Sequence, residues 1–138
     1  MSKVRIRTCG YEFMARLETE KAPATCAAFL KLLPYENKII HVRWSGEGVW
    51  IPLGNLDLGV PYENHTRYPS KGEFLFYPGG ISETEMILAY GSVSFASKVG
   101  GLSGNHFLTI ESGLENLYAM GRKTLWEGAQ DIFFSLAD

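Results

Sequence analysis

At the stretch KAPATCAAFLKLLP, residues 21–34, the sequence changes from the alternating pattern of strands to the spacing of a helix. Within this stretch, four apolar side chains recur at the spacing of one helix face, namely Cys26, Phe29, Leu30 and Leu33. Proline is tolerated in the first turn of a helix and ends a helix elsewhere, so Pro23 and Pro34 mark the two ends. The pattern therefore predicts a helix over residues 23–33.

On the N-terminal side of this helix, apolar residues alternate with charged ones, as they do in a strand with one face in water. Val4 and Ile6 alternate with three basic residues, and residues 12–18 alternate in the same way. Because Cys9-Gly10 lies between the two segments and suits a turn, the segments are predicted to form a hairpin.

On the C-terminal side, turns rich in glycine and proline separate further strand patterns. Strands are predicted over residues 39–45, 47–53, 73–77, 84–90, 92–97, 105–111 and 129–136. A second helix is predicted after Ser112, because Ser112-Gly113-Leu114-Glu115 has the spacing of a capping box. Its apolar face would consist of Leu114, Leu117, Tyr118 and either Met120 or Gly121. Residues 54–71 are mostly polar and are expected to form a long surface loop, a place where function is often found.

This order of elements predicts a mainly β fold, a closed barrel of about eight strands with two short helices. Closure would remove the exposed sheet edges, and the helices would cover the open ends of the barrel. At 138 residues the chain fits one such domain, residues 1–138, with no room for a second independent core.

The composition restricts the partners and the compartment. A net charge of −2 argues against nucleic acid, whose binding domains usually carry a basic surface. No apolar run approaches the ~20 residues that span a bilayer, and residues 1–7 lack a signal-peptide core, so we expect no membrane partner and a cytoplasmic location. Cys9 and Cys26 lack CxxC spacing and are expected to be reduced structural thiols. Three histidines without ligand spacing predict no metal site, and no other cofactor is expected.

The most informative polar residues lie in the predicted hairpin of residues 39–53. If this hairpin turns at Gly46-Glu47, Arg43 lies opposite Trp50, with His41 two residues away on the same face. An arginine beside an aromatic ring can anchor an anion or a carbonyl group, although the same residues also suit an ordinary cross-strand pair on a wet surface. The opposite face of the first strand is expected to fill the barrel and consists of Ile40, Val42 and Trp44.

Four further residues are candidates for a site. Glu83 and Glu85 share one face of an extended chain, where paired carboxyls can shift each other's pKa and transfer protons, or can simply form a solvated edge. Tyr77 could line the same pocket or belong to the core. His106 could act as a general base if a carboxylate orients it, or it could be a hydrogen-bonded loop histidine.

The first predicted helix resembles that of the cyclophilins. Residues 22–29, Ala-Pro-Ala-Thr-Cys-Ala-Ala-Phe, are similar to the Ala-Pro-x-Thr-x-x-x-Phe opening of the first cyclophilin helix, and the hairpin 39–52 occupies the place of the strands around the cyclophilin catalytic arginine. Over its whole length the chain more closely resembles a family of uncharacterised bacterial proteins with a cyclophilin-like fold, through segments 43–47, 76–83 and 125–129. This resemblance implies a cyclophilin-like barrel with a site on its outer face, where cyclophilins act.

The chain departs from the cyclophilin isomerases at the residues that catalyse. Arg43 can stand in for their arginine and Trp50 for their methionine, but Pro52 falls near the position of their glutamine, and no Phe-Met-x-Gln stretch exists. Prolyl isomerase activity is therefore expected to be negligible.

The function predicted from these features is binding of a small carboxylate-bearing molecule or a short peptide on the outer barrel face. The predicted anchors are Arg43 and Trp50, and the predicted neighbours are His41, Tyr77, Glu83, Glu85 and His106. Three alternatives stay open: a prolyl isomerase, an amide-metabolising enzyme or its subunit (cyclophilin-like barrels also occur within bacterial amide hydrolases), and a self-assembling structural module. The aromatic content also predicts a homo-oligomer, most simply a two-fold dimer.

Overall fold

The alternating segments form a closed antiparallel barrel. The computed structural model describes residues 3–137, and Met1, Ser2 and Asp138 lie outside that range. Within it the strands are β1 (Lys3–Thr8), β2 (Tyr11–Leu17), β3 (Tyr35–His41), β4 (Gly46–Gly54), β5 (His65–Thr66), β6 (Glu73–Tyr77), β7 (Thr84–Val93), β8 (Ala96–Ser97), β9 (Gly100–Gly101), β10 (Gly104–Ser112) and β11 (Gln130–Leu136). Eight of them pair in the order β1-β11-β3-β4-β7-β6-β10-β2, and the pairing of β2 with β1 closes the barrel. The predicted barrel of about eight strands is confirmed.

Two short helices cover opposite ends of this barrel. Helix α1 (Pro23–Leu30) connects β2 to β3, and helix α2 (Leu117–Glu127) connects β10 to β11. Because β2 and β10 are antiparallel neighbours, the two connections leave from opposite ends of the barrel. Both helices contribute side chains to the barrel core, which include Cys26 and Phe29 from α1 and Leu117 and Met120 from α2.

Helix α1 is shorter than predicted and is capped by a distant residue. It ends at Leu30 rather than at residue 33, because the chain tightens into 3-10 turns there and the residue before Pro34 is kept out of the helical conformation. Its first turn has no capping side chain of its own. Instead the carboxylate of Glu63 accepts hydrogen bonds from the backbone N–H and the hydroxyl of Thr25, both at 2.7 Å. A carboxylate here satisfies a free N–H and complements the helix dipole.

Helix α2 begins differently from the prediction. The capping box does not form: Ser112 is the last residue of β10, Gly113 has a φ of +92°, and Leu114–Asn116 make a 3-10 turn before α2 begins. Tyr118 was expected on the apolar face but is 53% exposed, whereas Thr124 is buried there.

Aromatic rings fill the barrel interior. The ring centroid of Phe29 lies 5.0 Å from that of Phe107 and 5.5 Å from that of Phe134, and the centroids of Phe74 and Phe134 are 5.8 Å apart. All three pairs meet edge to face, the arrangement that aromatic rings prefer. These rings come from α1, β6, β10 and β11, so interior packing joins one helix to distant strands.

A second apolar cluster lies outside the barrel wall formed by β4, β6 and β7. The chain from Val93 to Leu102 folds back over this wall and buries Phe95. The cluster also contains Val42, Leu75, Tyr77, Ile87 and Ala89, with Trp50 partly buried against it. Strands β6 and β7 are therefore buried on both faces.

The predicted register of the hairpin between β3 and β4 is wrong by three residues. Ile40, not Arg43, lies opposite Trp50, because the turn is made by residues 43–45 and Gly46 already belongs to β4. An odd shift turns every side chain of a strand to the other face. His41 therefore lies on the inner side with Val49, while Ile40 faces outward and is 37% exposed.

The strand predicted over residues 39–45 is found at Tyr35–His41 instead, and one further strand prediction is wrong. Residues 84–90 and 92–97 were expected to be separate strands, but β7 runs without a break from Thr84 to Val93. The chain does not turn at Gly91, because Ala89 and Val93 on either side of it both pair with β4. The carboxylate of Glu47 packs directly against this glycine, and an added Cβ would lie 2.2 Å from a carboxylate oxygen. Glu47 also accepts a hydrogen bond from the backbone of Ser92 at 3.0 Å.

The loop between β4 and β6 is tied to the barrel by a buried asparagine. The side-chain amide of Asn105 donates to the hydroxyl of Thr25 at 3.0 Å and to the carbonyl of Pro61 at 2.9 Å, and its oxygen accepts from the N–H of Glu63 at 3.1 Å. Asn105 and Thr25 are fully buried. One side chain of β10 thus holds the loop and the first turn of α1 together.

Both cysteines are free thiols. Cys26 is buried and donates to the carbonyl of Phe107 at 3.3 Å, and burial raises its pKa to about 11. Neither α1 nor α2 has the length and apolar character needed to cross a membrane, in the part of the chain that the structure describes.

Candidate functional site

Two clefts lie on either side of one exposed tryptophan, Trp44. The first, which we call the Glu85 cleft, has a volume of about 450 Å³ and is lined by Trp44, Trp50, Ser82, Glu83, Glu85 and Lys98. The second, which we call the Arg43 cleft, has a volume of about 370 Å³ and is lined by Trp44, Ile40, His41, Arg43, Thr124 and Leu125. Both volumes fall within the range of ordinary small-molecule sites.

Neighbouring strands place the main side chains of the Glu85 cleft. Pro52 of β4 lies opposite Glu85 of β7, and Trp50 lies opposite Ile87, so Trp50 and Glu85 are diagonal neighbours on the outer face of the wall. The same face carries the outer apolar cluster. A carboxyl group is thereby held on an otherwise apolar strand surface beside an indole ring.

Burial changes the acidity of this carboxyl group. Glu85 is only 5% exposed, and burial, assisted by the negative charge of Glu83, raises its pKa from an ordinary 4.5 to about 7. Removing a carboxylate from water disfavours its charged form, and a like charge nearby does the same. Glu85 therefore gains and loses its proton near neutral pH.

Trp50, which lines the same cleft, carries an unsatisfied donor. Its indole N–H is buried, and no atom of residues 3–137 accepts a hydrogen bond from it. A buried donor without an acceptor costs about 1–3 kcal/mol. Such groups are uncommon in folded proteins.

A small hairpin borders the cleft and fixes the position of Trp44. Strands β8 and β9 form this hairpin, and Lys98 lies in the turn between them. The Trp44 indole N–H donates to the carbonyl of Ala96 at 3.0 Å. The hydroxyl of Ser45 also donates to this carbonyl at 3.1 Å and accepts from the N–H of Ala96 at 3.0 Å. Trp44 is 59% exposed but is held at its nitrogen.

Tyr77 supports the cleft from below. It is buried in the outer cluster, and its hydroxyl accepts hydrogen bonds from the backbone N–H groups of Ile81 at 2.9 Å and Ser82 at 3.2 Å. These contacts hold the loop that carries Glu83. Tyr77 therefore positions the site without lining it.

The Arg43 cleft lies at the end of the barrel covered by α2. The Nε2 atom of His41 and the hydroxyl of Tyr90 are 2.7 Å apart, while the Nδ1 atom of His41 is buried and has no partner within residues 3–137. Burial lowers the pKa of His41, and the positive charges of Arg43 and Arg122 lower it further. His41 is therefore neutral at pH 7, and the charge of the cleft comes from arginine.

His106 lies apart from both clefts, in a polar cluster on β10. Its Nε2 atom is 2.7 Å from the hydroxyl of Thr109, which donates to the carboxylate of Glu18 at 2.6 Å. Burial acts to raise the pKa of Glu18, but the contacts with Thr109, Arg16 and His106 outweigh it and lower that pKa. The Thr109 proton is committed to Glu18, so the histidine donates its Nε2 proton to Thr109.

The structure thus separates the predicted site residues into three places. Trp50, Glu83 and Glu85 line one cleft, with Tyr77 beneath it; His41 and Arg43 line the other; and His106 belongs to neither. The predicted face shared by His41, Arg43 and Trp50 does not exist, because of the register of β3. Sequence reasoning missed Trp44 as a site residue, since it was expected inside the barrel, and it missed Lys98, which no local pattern distinguishes.

No group of three or more His, Cys, Asp or Glu side chains among residues 3–137 is placed to hold a metal ion. The chemistry available in the clefts is that of carboxyl groups, aromatic rings and single basic side chains.

A family model described as "Protein of unknown function (DUF3830)" matches residues 4–136. The chain belongs to the DUF3830 family. Curated protein sequences yielded no match to this DUF3830 chain.

Solved structures resemble this DUF3830 chain in fold. McbB in complex with tryptophan superposes with a TM-score of 0.72 at 17% identity, over 96% of this chain and 44% of McbB. This chain therefore spans less than half the length of McbB. The hypothetical protein AF2241 from Archaeoglobus fulgidus has a TM-score of 0.65 at 18% identity, over 99% and 95% of the two chains.

The cyclophilins are among these structural neighbours. A cyclophilin-type peptidyl-prolyl cis-trans isomerase from Cryptosporidium parvum, solved in the presence of the dipeptide Ala-Pro, has a TM-score of 0.59 at 16% identity, over 99% of each chain. The expected cyclophilin-like fold is confirmed. At these identities the likeness concerns the fold alone.

Proposed function

We propose that this protein binds a small molecule in which a protonated amine is attached to an apolar or aromatic group, and that it does so in the Glu85 cleft on the outer barrel face. The observation that carries the proposal is the buried Glu85 carboxyl group beside the Trp50 ring. A buried carboxyl on an apolar wall is costly unless something compensates its charge.

Compensation by a cation suits the residues present. No salt bridge within residues 3–137 involves Glu85 or Glu83, so neither carboxylate is already paired. Tryptophan faces attract cations, by about 0.5–1 kcal/mol when exposed and more when water is excluded. Two tryptophans and two carboxyl groups line this cleft. Together they favour an ammonium group that carries apolar surface.

This proposal replaces the anchor that the sequence predicted. Arg43 and Trp50 line different clefts, so a single carboxylate group cannot contact both of them, whereas Lys98 lines the Glu85 cleft and can receive a carboxylate there. McbB has been solved with tryptophan, a molecule with an amine, a carboxylate and an aromatic ring. McbB supports the proposed ligand class only because its fold is similar to that of this chain.

The test compares matched ligands by titration calorimetry and NMR. We expect phenethylamine and phenylalanine to bind and phenylpropionate, which lacks the amine, to bind at least about tenfold more weakly, because charge-assisted hydrogen bonds contribute about 1.5–3 kcal/mol. Glu85→Gln should weaken phenethylamine by about the same factor, whereas Glu20→Gln, at an exposed position, should not. Equal binding of phenethylamine and phenylpropionate would contradict the proposal, as would an unchanged affinity in Glu85→Gln.

The affinity should also depend on pH in one direction. Because the pKa of Glu85 is raised to about 7, the carboxylate that attracts the amine is formed as the pH rises through neutrality. An alkyl amine keeps its proton over this range. Binding of phenethylamine should therefore be tighter at pH 8 than at pH 5.5, and it should release protons in calorimetry carried out in buffers of different ionisation enthalpy.

A further inference from the structure

The two clefts share one wall and differ in charge. Trp44 lines both, with Glu83 and Glu85 on one side and Arg43 on the other. Arg43 is exposed, and no acidic residue within residues 3–137 forms a salt bridge with it. An acidic cleft and a basic cleft therefore lie on either side of the same indole ring.

The basic character of the Arg43 cleft does not depend on His41. That histidine is neutral at pH 7, and the two charges that act on it, those of Arg43 and Arg122, are both positive; Arg43 lines the cleft itself. The C-terminal end of α2 lies beside the cleft through Thr124 and Leu125 and contributes about half a negative charge. The full positive charge of Arg43 exceeds this partial charge. The cleft can therefore attract an anionic group.

Trp44 is suited to lie beneath the middle of a ligand. Its side chain is 59% exposed and forms part of the wall of both clefts. Its N–H is already bonded to Ala96, so its exposed surface is the apolar part of the ring and no polar group needs to be satisfied. Because Ser45 also holds Ala96, the ring and the β8–β9 hairpin form one fixed unit.

From this arrangement we infer that the ligand is dipolar, with its protonated amine in the Glu85 cleft, its carboxylate at Arg43, and its apolar middle across the Trp44 ring. This inference rests on the proposed function and extends it, because it assigns a role to the second cleft. Two sources share this chemistry: an amino acid whose amine and carboxylate are separated by an alkyl chain, and a short peptide with free ends.

The test is a length series measured by calorimetry on the full chain. The ligands are ω-amino carboxylic acids of increasing chain length, each paired with the alkyl amine of the same length, and oligoalanines with free or blocked ends. If the inference holds, one chain length binds best, and at that length the amino acid binds about tenfold more tightly than the paired amine. Arg43→Ala should abolish this advantage and leave the amine affinity unchanged, while Arg7→Ala, at another exposed arginine, should change neither.

The outcomes separate this inference from the proposed function. If the amines bind through Glu85 but Arg43→Ala affects no amino acid or peptide of any length, the dipolar ligand is refuted and the proposed function stands. If neither amines nor amino acids bind, both fail. If an oligoalanine with free ends binds more tightly than any ω-amino acid, and blocking either end abolishes this binding, the ligand is a peptide. If the ω-amino acids bind more tightly, the ligand is a small amino acid. Arg43 is exposed in a turn, so its variant should fold, and circular dichroism checks this.

Discussion

Replacing Glu85 by glutamine should stabilise the folded protein above neutral pH and leave its stability nearly unchanged below pH 4. Glutamine has the shape of a protonated glutamic acid, so it reproduces the neutral side chain and removes the titration. In the folded protein burial raises the pKa of Glu85 from 4.5 to about 7, whereas in the unfolded chain the ordinary value applies. Between these two values the folded state holds a proton that the unfolded state has lost.

The sign and size of the effect follow from this proton. A state that binds more protons is favoured at low pH, so the contribution of Glu85 to stability falls as the pH rises from 4.5 through 7. The difference between those values corresponds to about 3 kcal/mol, which is an upper limit because the carboxyl group faces a cleft open to water. We expect Glu85→Gln to exceed the wild type by about 2–3 kcal/mol at pH 8.5.

The measurement is urea denaturation of both proteins at several pH values between 3.5 and 8.5. The difference between them should be small below pH 4, should grow between pH 4.5 and pH 7, and should be nearly constant above pH 7.5. In a protein that keeps Glu85, Glu83→Gln should move the pH range over which stability falls to lower pH, because the charge of Glu83 is the second cause of the raised pKa of Glu85. Glu20→Gln, at an exposed position, should give a difference that does not vary with pH. A constant difference between the wild type and Glu85→Gln would refute the account of Glu85 as a buried carboxyl group.

Three further predictions concern stability and activity. In a urea titration, Asn105→Ala should lower the free energy of unfolding by about 2–4 kcal/mol, because it leaves the buried partners of this side chain unpaired. Asn55→Ala, at an exposed position, should lower it little. Gly121→Ala should lower the melting temperature although alanine favours helices, since its Cβ would lie 2.3 Å from the ring of Tyr90; a rise in melting temperature would contradict the packing described. Prolyl isomerase activity should be negligible in a proline-peptide turnover assay, and turnover close to that of an ordinary cyclophilin that disappears in Arg43→Ala would overturn this expectation.

The parts of the fold that depend on local periodicity could be predicted from the sequence. Strands β1 and β2 alternate because one face is buried and the other is wet, and α1 shows its helical period for the same reason. Glu83 and Glu85 were expected on the same face because residues two apart in an extended chain point to the same side. They do line one cleft. Whether that cleft binds a ligand stays a prediction.

Register and long-range packing could not be predicted in the same way. The position of the turn after β3 decides the face of His41, and the sequence around Gly46 is compatible with turns of different length. The outer cluster forms because residues 93–102 fold back over β6 and β7. No local sequence pattern predicts this fold-back. Trp44 was therefore expected in the core, and the two clefts that it separates could not be foreseen.

Burial on both faces has a consequence for how β7 finds its alignment during folding. In most antiparallel strands a slip by one residue exposes the apolar side chains, and the loss of buried area rejects it. Strand β7 is apolar on both sides, so such a slip would exchange one apolar face for another. Glu85 is the one charged residue in Thr84–Val93, and the slip would turn its side chain into the apolar barrel interior. The same carboxyl group that destabilises the native state above neutral pH would destabilise the misaligned state more, and it therefore favours the native alignment of β7.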